Sequence, residues 1–393
     1  MRKKGWLRRA AIGWLIGLLL VAVFADFLAS DRPLVAQVDG ETRFPVLHDY
    51  GEALGFVAPY RPAVRNWKRL ETEWAVWPPV PYSAGATDLK NSNFKSPFAA
   101  QDTGPRARHY LGTDKLGRDV LAGLIAGSRV AIFVGLGSLL VSLLIGLPLG
   151  GVAGFFGNDG LTGTRARWWG RSVGGVLGAL YAGVSLVPFF RVEHPGLTVL
   201  LLIVGFLVGG WLLALLLRLV PFFRKPTGFP ADSVVLQAVE LFVNIPALVL
   251  LIALLALINQ PSLWVVVLVI GVLRWPYVAR HLRGELLRIR SLPYIEAARV
   301  SGVGRWRILF RHALPNAVGP LLVVSAFGLG GAILLEAFLS FLGIGIPADA
   351  VTWGSLLRES RSRPDAWWLA VFPGLLLTFT VLAANVLGER ERG

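Results

Sequence analysis

The sequence predicts an all-α polytopic membrane protein. Of its 393 residues, 54% are hydrophobic and only 16% are charged, whereas soluble domains carry about 25% charged residues. The mean hydropathy is +0.61. Uncharged runs long enough to cross a bilayer, about 20 residues each, recur along the chain. The 45 Gly and 24 Pro also fit membrane helices, which use both residues more than soluble helices do.

The charge balance and the cysteine count exclude several classes of function. A formal net charge of +15 would suggest nucleic-acid binding in a soluble protein. Here it fits the excess of Lys and Arg in cytoplasmic loops of membrane proteins, and no nucleic-acid partner is expected. Without Cys the chain has no disulfide, thiol nucleophile or Cys-ligated zinc site. The one Met and five scattered His show no metal-ligand spacing.

Residues 1–30 are predicted to form a cytoplasmic N-terminus and the first membrane helix. Five positive charges in residues 1–9 precede an apolar run, Ala11–Leu28, which only Asp26 interrupts. A cleaved signal peptide with a site near Leu28–Ser30 is the alternative. A retained helix is preferred, because an odd first crossing places the later basic clusters on the cytoplasmic side.

Residues 31–121 are predicted to form an extracytoplasmic segment. Residues 31–110 hold ten Lys or Arg and nine Asp or Glu, and prolines are frequent. This composition favours irregular structure or short strands over long helices. The segment either offers a surface to a delivered substrate or its carrier protein, or is a structural cap over the helix ends.

The end of this segment, His109–Leu121, holds two glycines among alternating charges. Thr113 or Asp114 is expected to cap a short helix within a polar interfacial turn. The stretch is not a phosphate loop, because the pattern G-x-x-x-x-G-K-[ST] is absent here and throughout the chain.

The apolar runs predict eight crossings with both termini in the cytoplasm, which places all five basic clusters on one side of the membrane. The predicted crossings are Ala11–Leu28, Val130–Asn158, Val173–Phe190, Leu197–Leu217, Val234–Ile258, Leu263–Tyr277, Ala313–Leu335 and Ala370–Leu387. Turns are expected at Arg191–Pro195 and Asn259–Pro261. The predicted parts are a membrane helix in 122–157, an inserted helix pair with basic loops in 158–231, a core in 232–388 and a cytoplasmic tail, 389–393.

The densest basic region surrounds a segment, Tyr294–Pro315, that lies between two apolar runs. Nine arginines occur between Arg274 and Arg311, against two glutamates. Pro293 suits the first turn of a helix, and Gly302 suits the left-handed residue that ends one. The helix between them carries one carboxylate, a small surface and a cation in its last turn: Glu296, Ala297, Ala298 and Arg299.

A second, amphipathic helix is expected from Arg305 to about Leu314, closed by Pro315. Its predicted apolar stripe consists of Trp306, Leu309, Phe310 and Ala313. The alternative is a loop helix that only anchors at the membrane interface. That alternative leaves the small Ala297–Ala298 surface unexplained, whereas insertion into a groove on a partner protein explains it.

The chain resembles importer-type ABC permease subunits. The pattern E-A-A-x-x-x-G with a downstream Leu-Pro is present as Glu296–Gly302 and Leu314–Pro315. Further stretches are similar to the second permease of the dipeptide, oligopeptide and nickel group. Stretches near the start resemble its microcin C and oligopeptide branch: Asp31–Leu34, Asp39–Gly40, Phe44–Pro45, Trp74–Trp77 and Gly85–Thr87. The later stretches are Glu336–Gly343 and Trp353–Gly354, and the motif before the second helix comprises Gly112, Thr113, Asp114, Gly117, Arg118 and Asp119.

The resemblance covers residues 1–157 and 232–388 and implies a type I-like permease core in a bacterial inner membrane. It implies import of peptides or peptide-like solutes, driven by two separate ATP-binding subunits. A second permease subunit and an extracytoplasmic solute-binding protein would complete the transporter. Within the segment 281–315, residues 292–305 would form the coupling helix. No bound cofactor and no enzymatic activity are expected of this chain. The family usually has six crossings, so residues 158–231 are an addition, for which lipid-facing packing is the simplest role.

Three carboxylates near the membrane remain, of which Glu336 is the pathway candidate. It is expected near the end of a helix or in a re-entrant turn, where it would line the path, pair with a partner permease or extend to interfacial water. Asp26 and Glu240 share this ambiguity. Nickel or another small solute is the alternative cargo. A membrane enzyme is disfavoured, because His281 and His312 lack a matched carboxylate pair, and a non-transporting scaffold is the remaining alternative.

Overall fold

The computed structural model describes residues 2–53, 55–58, 67–68, 70, 72–104, 107–158, 160–186, 195–256, 262–345, 347 and 350–389. The chain divides into two compact units, each built from several segments. The first comprises Met1–Gly146, Phe242–Val278 and Val318–Gly393, and the second comprises Leu147–Leu241 and Ala279–Ala317.

Helices dominate the described residues. They are α1 (Arg2–Val23), α2 (Ala25–Leu28), α3 (Pro45–Ala53), α4 (Val120–Phe156), α5 (Arg165–Trp169), α6 (Gly175–Tyr181), α7 (Pro195–Leu217), α8 (Pro221–Arg224), α9 (Ala231–Asn244), α10 (Ala247–Ala256), α11 (Leu263–Ile289), α12 (Pro293–Val300), α13 (Arg305–Ile308), α14 (Leu314–Leu342), α15 (Trp353–Ser360) and α16 (Trp368–Gly388). Three π-helical turns, Gly170–Gly174, Ala182–Leu186 and Leu309–Ala313, adjoin α-helices without a break.

Six helices of the described part are long and apolar enough to cross a membrane, or seven if the bent pair α9–α10 is one span. These seven correspond to seven of the eight predicted crossings. The remaining one, Val173–Phe190, is helical as far as Leu186, and its last four residues lie outside the described part. The predicted turns at Arg191–Pro195 and Asn259–Pro261 and most of the C-terminal tail also fall at least partly outside it.

The membrane helix predicted at Val130–Asn158 is longer than expected. Helix α4 starts at Val120 and runs for 37 residues. The charge of Arg129 does not interrupt it, because the guanidinium is bound to the carbonyl oxygen of Ala22 and the carboxylate of Asp26. A charge that is satisfied within the protein can lie inside a membrane helix.

The segment after the first helix forms short strands, as its proline content predicts. Strand β1 (Val35–Val38) lies between β2 (Glu41–Arg43) and β3 (Trp74–Val76) in an antiparallel sheet of order β2-β1-β3. Ala36 pairs with Arg43 on one side and with Ala75 on the other. Trp67 packs on this sheet with Ala36 and Val38, which gives the segment a small apolar core of its own.

The first unit packs its membrane helices around two apolar clusters. One joins α1, α4, α14 and α16 through Leu18, Leu124, Ile333 and Leu369. The other joins α4, α10, α11 and α14. Helix α1 is an integral part of the bundle: the indole N–H of Trp14 donates to the Thr380 hydroxyl at 3.1 Å.

The second unit contains the added helix pair and the basic segment. In the pair, α6 and the π-turns around it pack closely on α7 through glycines. A Cβ built on Gly178 would lie 2.1 Å from the Gly205 carbonyl oxygen, and one on Gly209 would lie 2.3 Å from that of Gly174. Small residues that let two backbones approach this closely are typical of membrane helix pairs. Strands β4 (Thr162–Thr164) and β5 (Pro226–Gly228) then join the two ends of this insertion.

Candidate coupling site

Helix α12 begins and ends as the sequence predicts. Leu292 is extended (φ −78°, ψ 144°), and Pro293 occupies the first helical turn, where its missing N–H costs no hydrogen bond. One side chain of α12, that of Ile295, is completely buried and packs with Leu286, Ile289 and Ile308. This anchor turns the opposite face of α12 outward.

The exposed face of α12 contains three of the predicted coupling residues. Glu296, Ala297 and Arg299 are exposed, and Ala298 is half-buried. Val300 continues this face and is 89% exposed. Val300 was not among the residues predicted from the sequence, where its signal was an apolar residue at the end of an otherwise charged helix. An exposed surface of small and apolar side chains with one carboxylate is suited to docking on another protein.

Gly302, which follows α12, has a left-handed backbone conformation. Its φ is +75°, its N–H donates to the Arg299 carbonyl oxygen at 3.1 Å, and the Val303 N–H donates to that of Ala298 at 3.1 Å. A Cβ at Gly302 would contact nothing within 4 Å. The glycine is therefore required by the backbone conformation and not by lack of space.

The second helix of the segment differs from the prediction. Helix α13, the π-turn Leu309–Ala313 and α14 form one continuous helix from Arg305 to Leu342. Pro315 does not close it, because the wider π-turn directly before the proline tolerates a missing backbone donor. Of the predicted apolar stripe, Leu309 and Ala313 are buried, and Trp306 and Phe310 are 50% and 61% exposed and stack on each other at 6.0 Å.

A pocket of about 460 Å³ adjoins this segment within the second unit. It is lined by Phe155, Phe156, Gly160, Arg290, Ser291, Glu296, Arg299 and Arg305. Arg305 is held in place because its Nη1 donates to the Gly160 carbonyl oxygen at 2.7 Å. Three guanidinium groups and one carboxylate give the pocket a positive balance.

The motif before the second helix centres on His109, which is completely buried. Its Nδ1 lies 2.8 Å from Asp119 Oδ2, and its Nε2 lies 3.3 Å from Asp88 Oδ2. Tyr82 stacks on the imidazole at 4.2 Å, and burial together with Asp88 and Asp119 raises the pKa of Tyr82 to about 12. Burial acts to raise the pKa of Asp88, but hydrogen bonds from Asn91, His109 and Lys90 outweigh it and lower that pKa.

Asp119, and not Thr113 or Asp114, caps the helix that follows. Its Oδ1 accepts the Ala122 N–H at 2.7 Å at the start of α4. The predicted cap is wrong because Thr113 and Asp114 lie in a turn six and five residues earlier. There Asp114 Oδ1 accepts the N–H groups of Leu116 and Arg118, each at 2.8 Å. The prediction of a polar turn before a membrane helix is confirmed.

The remaining motif residues hold this turn together. Gly112 and Gly117 both have φ +80°, and a Cβ on Gly117 would lie 2.0 Å from the Asp88 carbonyl oxygen. The Arg118 guanidinium binds the carboxylates of both Asp114 and Glu359. Burial and the charge of Asp114 raise the pKa of Glu359 despite Arg118 and Arg358. The turn is thus a polar structure within the first unit.

Two tryptophans fasten this turn and helix α4 to the later helices. The Trp368 indole N–H donates to the Thr113 carbonyl oxygen at 3.1 Å, and that of Trp353 donates to the Leu124 carbonyl oxygen at 2.9 Å. A Cβ on Gly354 would lie 2.1 Å from the Ala337 carbonyl oxygen. The stretch Trp353–Gly354 therefore packs between α4 and α14.

Glu336 lies inside α14, six residues before its end, and is 1% exposed. Thr352 lies beside its carboxyl group, and Oε1 of Glu336 has no hydrogen-bond partner among the described residues. The expectations of a re-entrant turn and of a side chain extending to interfacial water are therefore wrong, because α14 continues past Glu336 and the side chain is buried. Asp26 is bound to Arg129, and Glu240 is exposed on α9.

Arg274 also differs from its expected place. The sequence groups it with the basic loop, but it lies within the membrane-length helix α11. Nothing in the sequence around Arg274 distinguished it from the neighbouring arginines.

The membrane-length helices and the exposed helix-turn-helix segment define a multi-pass membrane protein with a surface suited to a partner. The family described as "Binding-protein-dependent transport system inner membrane component" matches residues 210–390. A glutathione transport system permease protein of Pectobacterium atrosepticum is 30% identical over 74% of this chain and 72% of its own length. The chain belongs to this family of ABC importer permease subunits.

Two further relatives are similar over most of their length. A peptidoglycan transport system permease protein of Agrobacterium fabrum is 27% identical over 96% of this chain and 87% of its own length. A dipeptide transport system permease protein of Bacillus subtilis is 27% identical over 76% and 72%. A solved inward-facing MetNI methionine ABC transporter is 17% identical, with a TM-score of 0.32, over 57% of this chain and 94% of that one; a similarity this weak carries no structural argument.

Proposed function

We propose that this chain imports peptides or peptide-like solutes across the bacterial inner membrane, as one permease of an ATP-driven transporter. The cargo proposal is supported by relatives whose names specify dipeptide, glutathione and peptidoglycan transport. ATP is bound and hydrolysed by two partner subunits. A second permease and an extracytoplasmic solute-binding protein complete the assembly, and both termini of this chain are cytoplasmic.

The observation that carries the coupling proposal is the exposed face of α12. Ile295 anchors the helix while Glu296, Ala297 and Val300 face outward, and Gly302 fixes the direction of the chain with a φ of +75°. An ATPase subunit docks on this face. When the ATPase dimer closes, it displaces α12, and the turn passes the motion to the continuous helix Arg305–Leu342.

Helix α12 moves as a rigid element because it packs on residues that are close to it in the chain. Leu286 and Ile289 of α11 and Ile308 of α13 surround Ile295, so α12 moves together with the ends of both neighbouring helices. A rigid connection of this kind converts docking energy into a change between two states of the membrane helices. Glu336 remains a candidate for the pathway, since it is a buried carboxylate that a change of state can expose.

The test is uptake by the complete transporter, reconstituted in liposomes with ATP inside the compartment that contacts α12. Trialanine is the probe, and Ni²⁺ is the control cargo. We expect trialanine uptake that depends on ATP and on the solute-binding protein, and no Ni²⁺ uptake. Uptake of Ni²⁺ without trialanine would contradict the cargo, and ATP-independent uptake would contradict the coupling.

A further inference from the structure

Arg274 lies within α11, a helix long and apolar enough to cross a membrane. It follows an uncharged run that begins at Leu263, the first residue of α11. The eleven residue steps from Leu263 to Arg274 rise about 16 Å at 1.5 Å per residue. That is about half of a hydrocarbon core roughly 30 Å thick. If the hydrocarbon core begins at Leu263, the Arg274 side chain lies inside it.

The structure leaves room for this side chain at one glycine of a neighbouring helix. A Cβ built on Gly331 of α14 would lie 2.7 Å from Arg274 Nη1 and 2.9 Å from Nη2. Any other residue at position 331 would displace the guanidinium. The Tyr277 ring, one helical turn away, lies 5.9 Å from the guanidinium carbon. The Arg274 side chain is thus half-buried beside Gly331 and Tyr277.

No acceptor for this guanidinium is found among the residues that the structure describes. Neither a hydrogen bond nor an ion pair of Arg274 occurs there, although a guanidinium has five N–H donors. Two other helical arginines are paired: Arg129 Nη2 lies 2.8 Å from Asp26, and Arg283 Nη2 lies 2.7 Å from Asp232. Arg274 therefore differs from the arginines that stabilise the fold.

An unpaired cation at membrane depth is costly, and lipid tails offer no acceptor. An anion from outside the chain removes this cost. Of the small anionic groups, a carboxylate suits a guanidinium best, because two parallel N–H···O bonds fit its planar shape. Every linear peptide with a free C-terminus carries such a group. A carboxylate of a neighbouring protein subunit is the competing source.

We propose that Arg274 binds the C-terminal carboxylate of the peptide as it passes through the transporter. This inference rests on the proposed peptide import. The half-buried position against Gly331 favours a passing solute over a protein subunit, because the guanidinium lies in a niche of its own chain and does not extend from the surface.

The test compares uptake of trialanine and of trialanine amide by the complete transporter. The wild type is measured beside Arg274→Gln, Arg274→Lys and Gly331→Ala. The control is Arg280→Gln, which removes an exposed arginine from the same helix. The measured quantity is the ratio of the two uptake rates, because any preference of the solute-binding protein is the same for every variant and cancels.

We expect the wild type and Arg280→Gln to share one ratio, and Arg274→Gln to lower it about tenfold, the size of a charge-assisted hydrogen bond to a carboxylate. Arg274→Lys keeps part of the preference, and Gly331→Ala loses most of it. An unchanged ratio in Arg274→Gln overturns the inference. Equal loss of both peptides, or loss of complex assembly, overturns it in favour of a structural or subunit contact. Failure of the wild type to import either peptide refutes the proposed function itself.

Discussion

The guanidinium of Arg129 donates to the Asp26 carboxylate at 2.8 Å and joins α4 to α2. The Tyr50 hydroxyl donates to the same carboxylate at 2.6 Å, and burial and Asp26 raise the pKa of Tyr50. Both partners of the ion pair are about 40% exposed, at 44% and 39%. Asp26, whose role was ambiguous in the sequence, is thus the ion-pair partner of Arg129.

This pair is expected to contribute modestly to stability. Exposed ion pairs yield coupling energies of about 0.2–1 kcal/mol. A double-mutant cycle of Asp26→Asn and Arg129→Gln, measured by thermal unfolding of the detergent-solubilised chain, should give a value in that range. Fully additive effects of the two substitutions would show that the pair does not interact.

Gly302 is expected to be essential for coupling, while Gly304 is not. A side chain at a φ of +75° costs roughly 1–2 kcal/mol, and the backbone relieves that strain by changing the angle after α12. Gly304 is the matched control, because its φ is −59° and a Cβ there also contacts nothing within 4 Å.

Gly302→Val should therefore abolish ATP-driven uptake without reducing the amount of inserted protein, whereas Gly304→Val should retain most of the uptake. Uptake and membrane abundance are measured for both variants in the same vesicles. Equal behaviour of the two variants would refute the role assigned to the left-handed residue.

The His109 cluster predicts a loss of stability in acid. The lowered pKa of Asp88 means that its carboxylate stabilises the fold above the pKa of the unfolded chain, about 3.9. This contribution is lost as the pH falls from about 4 through the still lower pKa of the folded state. The unfolding temperature should drop over that range, and Asp88→Asn should drop less. A parallel pH dependence in both proteins would contradict the assignment.

The added helix pair is expected to be sensitive to side-chain size at one glycine. Gly178→Val places two methyl groups where a Cβ already lies 2.1 Å from the Gly205 carbonyl oxygen, so the two helices must separate. Gly183 is the control, because a Cβ there would lie 3.3 Å from the flexible Leu202 side chain.

If the pair packs only against lipid, Gly178→Val should lower the unfolding temperature and leave the uptake rate per folded molecule unchanged, and Gly183→Ala should change neither. A lowered uptake rate in Gly178→Val at full abundance would assign the pair a part in transport.

The two ends of α12 could be predicted from the sequence because local backbone preferences determine them. Pro293 and Gly302 limit α12 because each has a backbone preference that neighbours cannot override. The end of the second helix was predicted wrongly, since a π-turn accommodates Pro315. The places of Glu336 and Arg274 depend on Thr352 and Gly331, which are distant in sequence. No periodicity of a single segment reveals such contacts.

The central claim is that an ATPase subunit docks on the exposed face of α12. The chain contains no cysteine, so Ala297→Cys introduces a unique thiol there, and Phe56→Cys introduces one at an 82% exposed position of the predicted extracytoplasmic segment. A bifunctional cross-linker is applied to the assembled transporter carrying either variant. We predict a cross-linked product with the ATPase subunit for Ala297→Cys and none for Phe56→Cys. No product from Ala297→Cys in a transporter that still hydrolyses ATP and imports peptide would contradict the account.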